Sequence, residues 1–299
     1  MQKILTSYFT ILLFISAVIG VIFPQYFISL NTYTAEILMI ILFSSFLSLN
    51  ITDMFTLNLK KLFFNSIIYI FGLPFLFYLI FSSFLDPTYL YAFLLFFALP
   101  SGMTNPGMSK LFNLDTAWAT GFVVITSLAF PFLFTLFSPI LPFEGTFSMF
   151  QIFVNVAKLI FIPFFLALLL KKISPKLSKS INSISSSITI IGLIIMILGI
   201  FAFNQEIFFT LTSSLKFLYF GIGMFFAYAV LLLVGFLLPA KTKKEQWTNA
   251  LIFWGTNPIF FLVLASQFFP SEIFIGAFFA EICWIIFQVL FSLAYKKYY

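Results

Sequence analysis

The sequence predicts an all-α membrane protein of ten transmembrane helices, folded as two inverted five-helix repeats with broken crossing helices at positions four and nine. Of its 299 residues, 62% are hydrophobic and only 8% are charged. A soluble globule needs far more polar surface than this, so the bilayer must be the solvent. The alternation of lysines between successive loops and a repeated Thr-Asn-Pro tripeptide predict the helix count and the inversion.

Apolar runs of about 20 residues recur along the chain, and each is long enough to cross a hydrocarbon layer of roughly 30 Å. The first run could imitate a signal peptide, but no small-x-small cleavage site follows it, so we expect it to be the first helix. Interruptions by Pro, Gly, Asn and charged clusters divide the chain into ten candidate spans, residues 4–22, 34–50, 62–84, 88–110, 115–138, 148–170, 178–203, 215–239, 246–269 and 272–295.

Lysine positions support this count, because positive loops stay on the cytoplasmic side. With ten spans, only Lys216 falls on the opposite side, and Lys158 lies inside span six. Both termini are then cytoplasmic, in a multi-pass protein of the cytoplasmic (inner) membrane. The lysines of the cytoplasmic side are Lys3, Lys60, Lys61, Lys110, Lys171, Lys172, Lys176, Lys179, Lys241, Lys243, Lys244, Lys296 and Lys297.

Composition argues against several other functions. The chain has no His and a single Cys, Cys283, so it cannot assemble a His or thiolate site for zinc, haem or iron-sulfur. A hydrolase would need a Ser-His pair or paired acids, and a channel would need a continuous polar lining. The sequence offers neither. Because the lysines lie in short loops, their topological role explains the net charge of +6 without nucleic acid. We therefore expect neither an enzyme nor a resident cofactor.

Two of the predicted spans are interrupted by a polar segment that contains candidate binding residues. Gly102-Met103-Thr104-Asn105-Pro106 lies in span four and Gly255-Thr256-Asn257-Pro258 in span nine. The two Thr-Asn-Pro copies are 152 residues, or five spans, apart, so the second enters the membrane from the opposite side.

Proline and glycine should break both helices, and such breaks persist in hydrocarbon only where protein or a wet cavity receives the freed backbone groups. Helix ends, amides and hydroxyls near the midplane suit a carboxylate or a similar anion. The alternative is that each tripeptide only caps and kinks its helix. The predicted substrate-binding residues here are Thr104, Asn105, Pro106, Thr256, Asn257 and Pro258.

Several segments of the chain are similar to those of a known family. They are Phe23-Pro24, Phe46-Leu47-Ser48-Leu49-Asn50-Ile51-Thr52-Asp53, Pro100-Ser101-Gly102, Asp115, Thr126-Ser127, Pro131 and Trp254-Gly255-Thr256-Asn257-Pro258. Through these segments the chain resembles the bile acid:sodium symporter family, whose fold is shared with arsenite and auxin efflux carriers.

The resemblance implies one transporter unit, residues 1–299, whose inverted repeats are residues 1–140 and 148–299. Its panel helices would lie in residues 4–50 and 148–203 and its core helices in 62–138 and 215–295. Substrate would bind between panel and core, beside the crossing helices, and alternating access would follow from moving one against the other.

The resemblance also places the first sodium site of the family at Asn105, Pro106, Thr126 and Ser127. Other family ligands are replaced. Ile252 and Phe253 stand where an acid is expected, and Thr256 and Tyr69 stand where glutamines are expected. Sodium generally needs several hard oxygens and a compensating charge, so the site is degenerate. Arsenite carriers have a cysteine in span four, where this chain reads Leu99-Pro100-Ser101, and the sodium-independent auxin-type carriers become a second comparison.

Two charges lie deep in predicted spans, where charges are expensive and usually functional. Glu281, in span ten, could replace the missing carboxylate by completing a cation site or by exchanging a proton, or it could be structural. The predicted ion-coupling residues are thus Asn105, Thr126, Ser127, Thr256 and Glu281. Lys158, in span six, could contact an anionic substrate, pair with Glu281 or reach the outer interface.

Together these features predict a secondary active transporter of a small organic anion of the carboxylate or sulfonate type. Its partners would be that anion and the lipid bilayer, and its coupling ion would be sodium or a proton. The alternatives are an uncoupled carrier of the auxin-efflux kind and a membrane protein that binds without transporting. A monomer is compatible with the sequence.

Overall fold

A computed structural model describes residues 9–49, 57–141, 149–206, 209 and 215–298. These residues are helical apart from turns and short connections, and they contain no strand beyond one isolated antiparallel bridge between Ser101 and Thr256. The predicted all-α class is therefore confirmed for this part of the chain. Lys3, the segment Asn50–Asp53 and Glu144 lie outside the described residues.

The helices are numbered here in chain order. Short 3-10 or π turns at Ile28–Tyr33, Ile68–Gly72 and Ser138–Ile140 continue some of them. The α-helices are α1 (Phe9–Ile22), α2 (Pro24–Phe27), α3 (Thr34–Ser48), α4 (Leu59–Ile67), α5 (Leu73–Phe81), α6 (Pro87–Ala98), α7 (Asn105–Leu111), α8 (Thr116–Phe137), α9 (Met149–Ile173), α10 (Pro175–Ser183), α11 (Ser185–Phe203), α12 (Leu215–Leu237), α13 (Lys243–Trp254), α14 (Pro258–Phe268) and α15 (Ser271–Tyr298).

In the described residues, seven helical segments are long and apolar enough to cross a membrane, by length and composition. Three shorter apolar helices, Leu12–Ile22, Pro87–Ala98 and Pro258–Phe268, fall within predicted spans one, four and nine. The last two are short because spans four and nine are each interrupted midway. Many large apolar side chains are exposed, as expected where hydrocarbon is the solvent.

The chain divides into two compact units. The first comprises Met1–Leu49 and Gln151–Ser213. Its centre is α11, which packs against α1, α3 and the 3-10 turn at Ile28–Tyr33. A Cβ at Gly199 of α11 would lie 2.7 Å from the backbone nitrogen of Asn31, so glycine permits this close packing. At the end of α3, Lys171 Nζ donates to the carbonyl oxygens of Phe46 and Leu49, which satisfies acceptors that a helix end leaves open.

The second unit comprises Asn50–Phe150 and Ser214–Tyr299. Its long helices α8, α12 and α15 surround the short helices α6, α7, α13 and α14. Helix α13 packs against α12, α8 and α7, while α14 packs against α15 and α6. The assignment of helices to a panel and a core that move against each other stays a prediction.

Candidate functional site

The first interruption separates α6 from α7. Helix α6 ends at Ala98, and Leu99 already has extended backbone angles (φ −59°, ψ 145°) because the following Pro100 disfavours the helical region. The chain resumes its helix at Asn105, with Pro106 in the first turn, where a missing N–H costs nothing. The predicted break of span four is present between these two residues.

The second interruption separates α13 from α14. Helix α13 ends at Trp254, and α14 begins at Pro258. Asn257 is the N-cap of α14, and its Oδ1 accepts a hydrogen bond from the backbone N–H of Phe260 at 3.3 Å. The capping role proposed as the alternative for Thr-Asn-Pro is therefore real at Asn257, while its Nδ2 takes no part in the cap.

The two interruptions meet at one isolated antiparallel bridge. Ser101 and Thr256 form the bridge, and the Gly102 amide donates to the Gly255 carbonyl oxygen at 2.6 Å. Both glycines permit this approach by lacking a side chain. A Cβ on Gly102 would lie 2.5 Å from the Thr256 carbonyl oxygen, and one on Gly255 would overlap the Asn105 carboxamide. We call residues 99–105 and 255–257 the crossing.

Side chains reinforce the crossing. Asn105 Nδ2 donates to the Gly255 carbonyl oxygen at 2.6 Å and to Ser101 Oγ at 2.8 Å. Ser101 Oγ in turn donates to the Ile252 carbonyl oxygen at 2.9 Å, and the Ser101 amide donates to Thr126 Oγ1 at 3.2 Å. The structure thus joins Asn105 and Thr126, two predicted site residues, through Ser101.

Asn105 Oδ1 and Ser127 Oγ have no hydrogen-bond partner among the residues that the structure describes. Asn105 uses both of its amide protons, and its Oδ1 is buried without a hydrogen bond. Ser127 Oγ is also buried and unpartnered. Buried polar groups are normally satisfied, so unpaired acceptor capacity at these two positions indicates a place for a solute, water or ion.

Tyr228, which no sequence motif indicates, contacts the predicted site residue Thr256. Its hydroxyl donates to the Ala280 carbonyl oxygen at 2.9 Å and lies 3.0 Å from Thr256 Oγ1. A phenol has one proton, and a carbonyl can only accept, so Thr256 must donate to Tyr228. The Thr256 hydroxyl then offers only lone pairs to a solute. No motif marks Tyr228, because it lies inside an uninterrupted apolar run of α12.

The other predicted residues lie as follows. Pro106 and Pro258 are buried in the first turns of their helices, while Thr104 is exposed and Asn257 is half-buried. Glu281 is buried on α15. Lys158 belongs to the first unit, and its side chain is exposed on α9.

The described residues do not make up a complete sodium site. The neutral oxygens of Asn105 and Ser127 are available, but Thr126 Oγ1 donates to the Phe122 carbonyl oxygen and already accepts from Ser101. Tyr69, where the family resemblance implies a glutamine, is fully buried with its ring 5.1 Å from that of Phe253. Two neutral oxygens without a carboxylate fall short of what a hard cation requires.

A second polar cluster, which we call the helix-end cluster, joins the starts of α4, α8 and α13. Lys61 pairs with Glu245 and lies 5.8 Å above the ring of Trp118. Trp118 Nε1 donates to Asn249 Oδ1 at 3.0 Å, which ties α8 to α13. Burial alone would raise the pKa of Glu245, but the hydrogen bonds from Lys61 and from the Lys241 amide outweigh it and lower that pKa.

Glu245→Gln is expected to reduce the free energy of unfolding by less than about 1 kcal/mol near neutral pH, because the pair is only partly buried. A carboxylate whose pKa is lowered in the folded state contributes stability above its unfolded pKa and loses that contribution as the pH falls through the folded value. The difference from the wild type should therefore vanish in acid, as measured by thermal unfolding in detergent. The exposed neighbour Lys60→Gln is the control and should show no such pH dependence.

The apolar helices, the two interrupted ones and their antiparallel crossing define a multi-pass membrane transporter. The chain belongs to the Sodium Bile acid symporter family, whose sequence model matches residues 35–211. That match includes the first interruption and ends before the second, and the members of this family are transporters rather than enzymes. A search of curated proteins finds no match to the chain.

Proposed function

We propose that this protein is a secondary active transporter that carries a small organic anion by alternating access, with substrate bound at the crossing. The observation that supports the proposal is the antiparallel meeting of two helix interruptions in a member of this transporter family. Irregular backbone at membrane depth is tolerated only where protein or a polar cavity receives it, and transporters place their substrate sites at such breaks.

The proposed topology is ten spans in two inverted repeats, with both termini cytoplasmic, in the inner membrane. Two observations support it. The two interruptions meet in antiparallel orientation, and only one loop lysine falls on the outer side under this count.

The substrate contacts that we propose are Asn257, through its Nδ2, and the exposed Thr104. Asn105, Pro106, Thr256 and Pro258 would shape the site around them. Lys158 stays a candidate for the charged contact, and Lys158→Met tests it. Loss of anion binding with unchanged thermal stability would support the contact, and unchanged affinity would remove Lys158 from the site.

Asn257→Asp separates the proposed anion site from a merely structural cap. Aspartate caps a helix as well as asparagine does, so the fold should persist. The substitution replaces the amide donors by a negative charge, so anion affinity should fall at least about tenfold. Unchanged affinity in this variant would place the substrate elsewhere.

The test of transport starts from thermal shifts of the purified protein with benzoate, lactate and 2-hydroxyethanesulfonate at several pH values, with and without sodium. A ligand of the native state raises its unfolding temperature. Any anion that does so is then assayed for counterflow in proteoliposomes. Counterflow is the expected result. Binding without counterflow would identify a non-transporting binding protein, and no stabilisation by any anion would contradict the proposed substrate class.

For the coupling ion we propose a proton rather than sodium. The crossing has no carboxylate, and Glu281 is a buried acid on a helix that packs against the interrupted pair. Anion uptake driven by a pH gradient, and unaffected by replacing sodium with potassium, is the expected result. Uptake that requires sodium and ignores the pH gradient would reverse the assignment.

A further inference from the structure

Glu281 is a carboxyl group with an unsatisfied buried atom. The residue is 9% exposed, and its Oε2 is buried with no hydrogen-bond partner in the described part of the chain. An unpaired carboxylate is expensive in a low-dielectric interior, whereas the neutral acid costs far less. A proton on this carboxyl group would therefore remove most of the cost of burying it.

Two buried indole N–H groups lie on α15 and at the end of α13, a helix that packs against α15. Trp284 follows Glu281 by three residues on α15, which places both side chains on one face of the helix. The ring of Trp254 lies 6.4 Å from that of Trp284. In the described part of the chain, the Nε1 atoms of both indoles are buried without an acceptor. The unpartnered buried groups of these helices thus include one carboxyl oxygen and two N–H donors, which would complement one another.

The same region is joined to the crossing at two points. Trp254 is the last residue of α13 and directly precedes Gly255. Tyr228 bridges Thr256 to the Ala280 carbonyl oxygen, one residue before Glu281. A rearrangement around Glu281 therefore reaches the second interruption through covalent and hydrogen-bonded connections.

Few other titratable groups face Glu281. Helix α15 packs against α6, α12, α13 and α14, of which α14 has none. The Tyr228 hydroxyl of α12 contacts the Glu281 turn, and Cys283 Sγ lies 4.0 Å from the Gly221 carbonyl oxygen. Towards its ends, α15 itself also carries Glu272, Tyr295, Lys296, Lys297 and Tyr298. The helices packed against α15 carry seven further titratable groups. They are Tyr89 and Tyr91 of α6, Lys216 and Tyr219 of α12, and Lys243, Lys244 and Glu245 of α13.

We propose that Glu281 is a proton-binding site whose ionised form is held by the indole N–H groups of Trp254 and Trp284, so that proton release is transmitted to the crossing. The carboxyl O–H bond breaks, its proton passes to water, and the carboxylate accepts the two N–H bonds. No other bond is made or broken. Because Trp254 continues directly into Gly255, its reorientation moves the end of α13. This inference rests on the proposed function for its role in transport, but the proton site itself can be tested without substrate.

The test is a pH titration of intrinsic tryptophan fluorescence on the full-length protein in nanodiscs. The wild type should show one transition as Glu281 ionises beside two indoles, and Glu281→Gln should abolish it. Glu272→Gln, which changes an exposed acid at the start of the same helix, is the matched control and should leave the transition in place. A transition that persists in Glu281→Gln would overturn the proton site.

Single tryptophan substitutions test the role of the indoles. Trp254→Phe leaves Trp284 as the reporter, and Trp284→Phe leaves Trp254. Each should shift the transition to higher pH by about one unit, because the carboxylate loses one charge-assisted hydrogen bond. Trp247→Phe, a matched indole elsewhere on α13, should leave the midpoint unchanged. If the fluorescence transitions of Trp254→Phe and Trp284→Phe both keep the wild-type midpoint, the indoles do not hold the carboxylate.

The fluorescence result is independent of the transport assay. A transition that depends on Glu281 and both indoles, in a protein without counterflow, would support the proton site and contradict the proposed transport. Counterflow without the transition would support transport and contradict this site.

Discussion

Gly255→Ala is expected to destabilise the protein by about 3 kcal/mol and to abolish transport, because the new methyl group has no room. Its Cβ would lie 2.7 Å from both the Leu251 carbonyl oxygen and Asn105 Nδ2. These atoms belong to helix backbone and to a side chain fixed by two hydrogen bonds, so neither can yield cheaply. Thermal unfolding in detergent and counterflow in proteoliposomes measure the two effects.

Gly107→Ala is the matched control. Gly107 lies in α7, two residues after Asn105, and a Cβ there would meet no atom within 4 Å. Alanine favours a helix more than glycine does, so this variant should be neutral or more stable by up to about 1 kcal/mol. Equal stability of the Gly255→Ala variant and the wild type would contradict the close approach of the two interruptions.

Asn105→Asp is expected to reduce the free energy of unfolding by about 2 to 4 kcal/mol and to remove transport. The carboxamide donates to the Gly255 carbonyl oxygen and to Ser101 Oγ. An aspartate would put an acceptor where both donors stood and would bury a charge at 0% exposure. Lost buried hydrogen bonds cost about 1 to 3 kcal/mol each, and a charge that cannot be paired adds to this.

The comparison variant is Asn113→Asp, the same chemical change at an exposed position of the same segment. Asn113 has a positive φ of 52°, which aspartate tolerates nearly as well as asparagine. Its effect should stay within about 0.5 kcal/mol. If Asn105→Asp and Asn113→Asp reduced the free energy of unfolding by similar amounts, the hydrogen bonds of Asn105 would not stabilise the crossing.

The interruptions could be predicted from sequence because proline and glycine act on the local backbone. Pro106 and Pro258 determine where α7 and α14 begin, whatever surrounds them. The spacing of the two Thr-Asn-Pro copies also implied opposite entry into the membrane, and the antiparallel bridge at Ser101 and Thr256 agrees with that orientation. The ten-span inverted arrangement as a whole stays a prediction.

Tertiary partners could not be predicted. Ser101 was visible only as part of a Pro-Ser-Gly segment, and its role depends on three groups far away in sequence, Asn105, Thr126 and the Ile252 carbonyl. Tyr228 and the two indoles near Glu281 lie in apolar runs where an aromatic residue indicates packing. Periodicity indicates which face of a helix is buried, but it does not identify which polar atom meets another.

The hydrogen bond from the Gly102 amide to the Gly255 carbonyl oxygen joins main-chain atoms alone. Substitutions of polar side chains that do not bond to this pair can therefore change which solute is recognised without undoing the joint, provided that both glycines and Asn105 remain. This separates the evolution of selectivity from the evolution of the scaffold. This chain carries isoleucine, phenylalanine and tyrosine at positions 252, 253 and 69, outside the crossing, and still forms the joint.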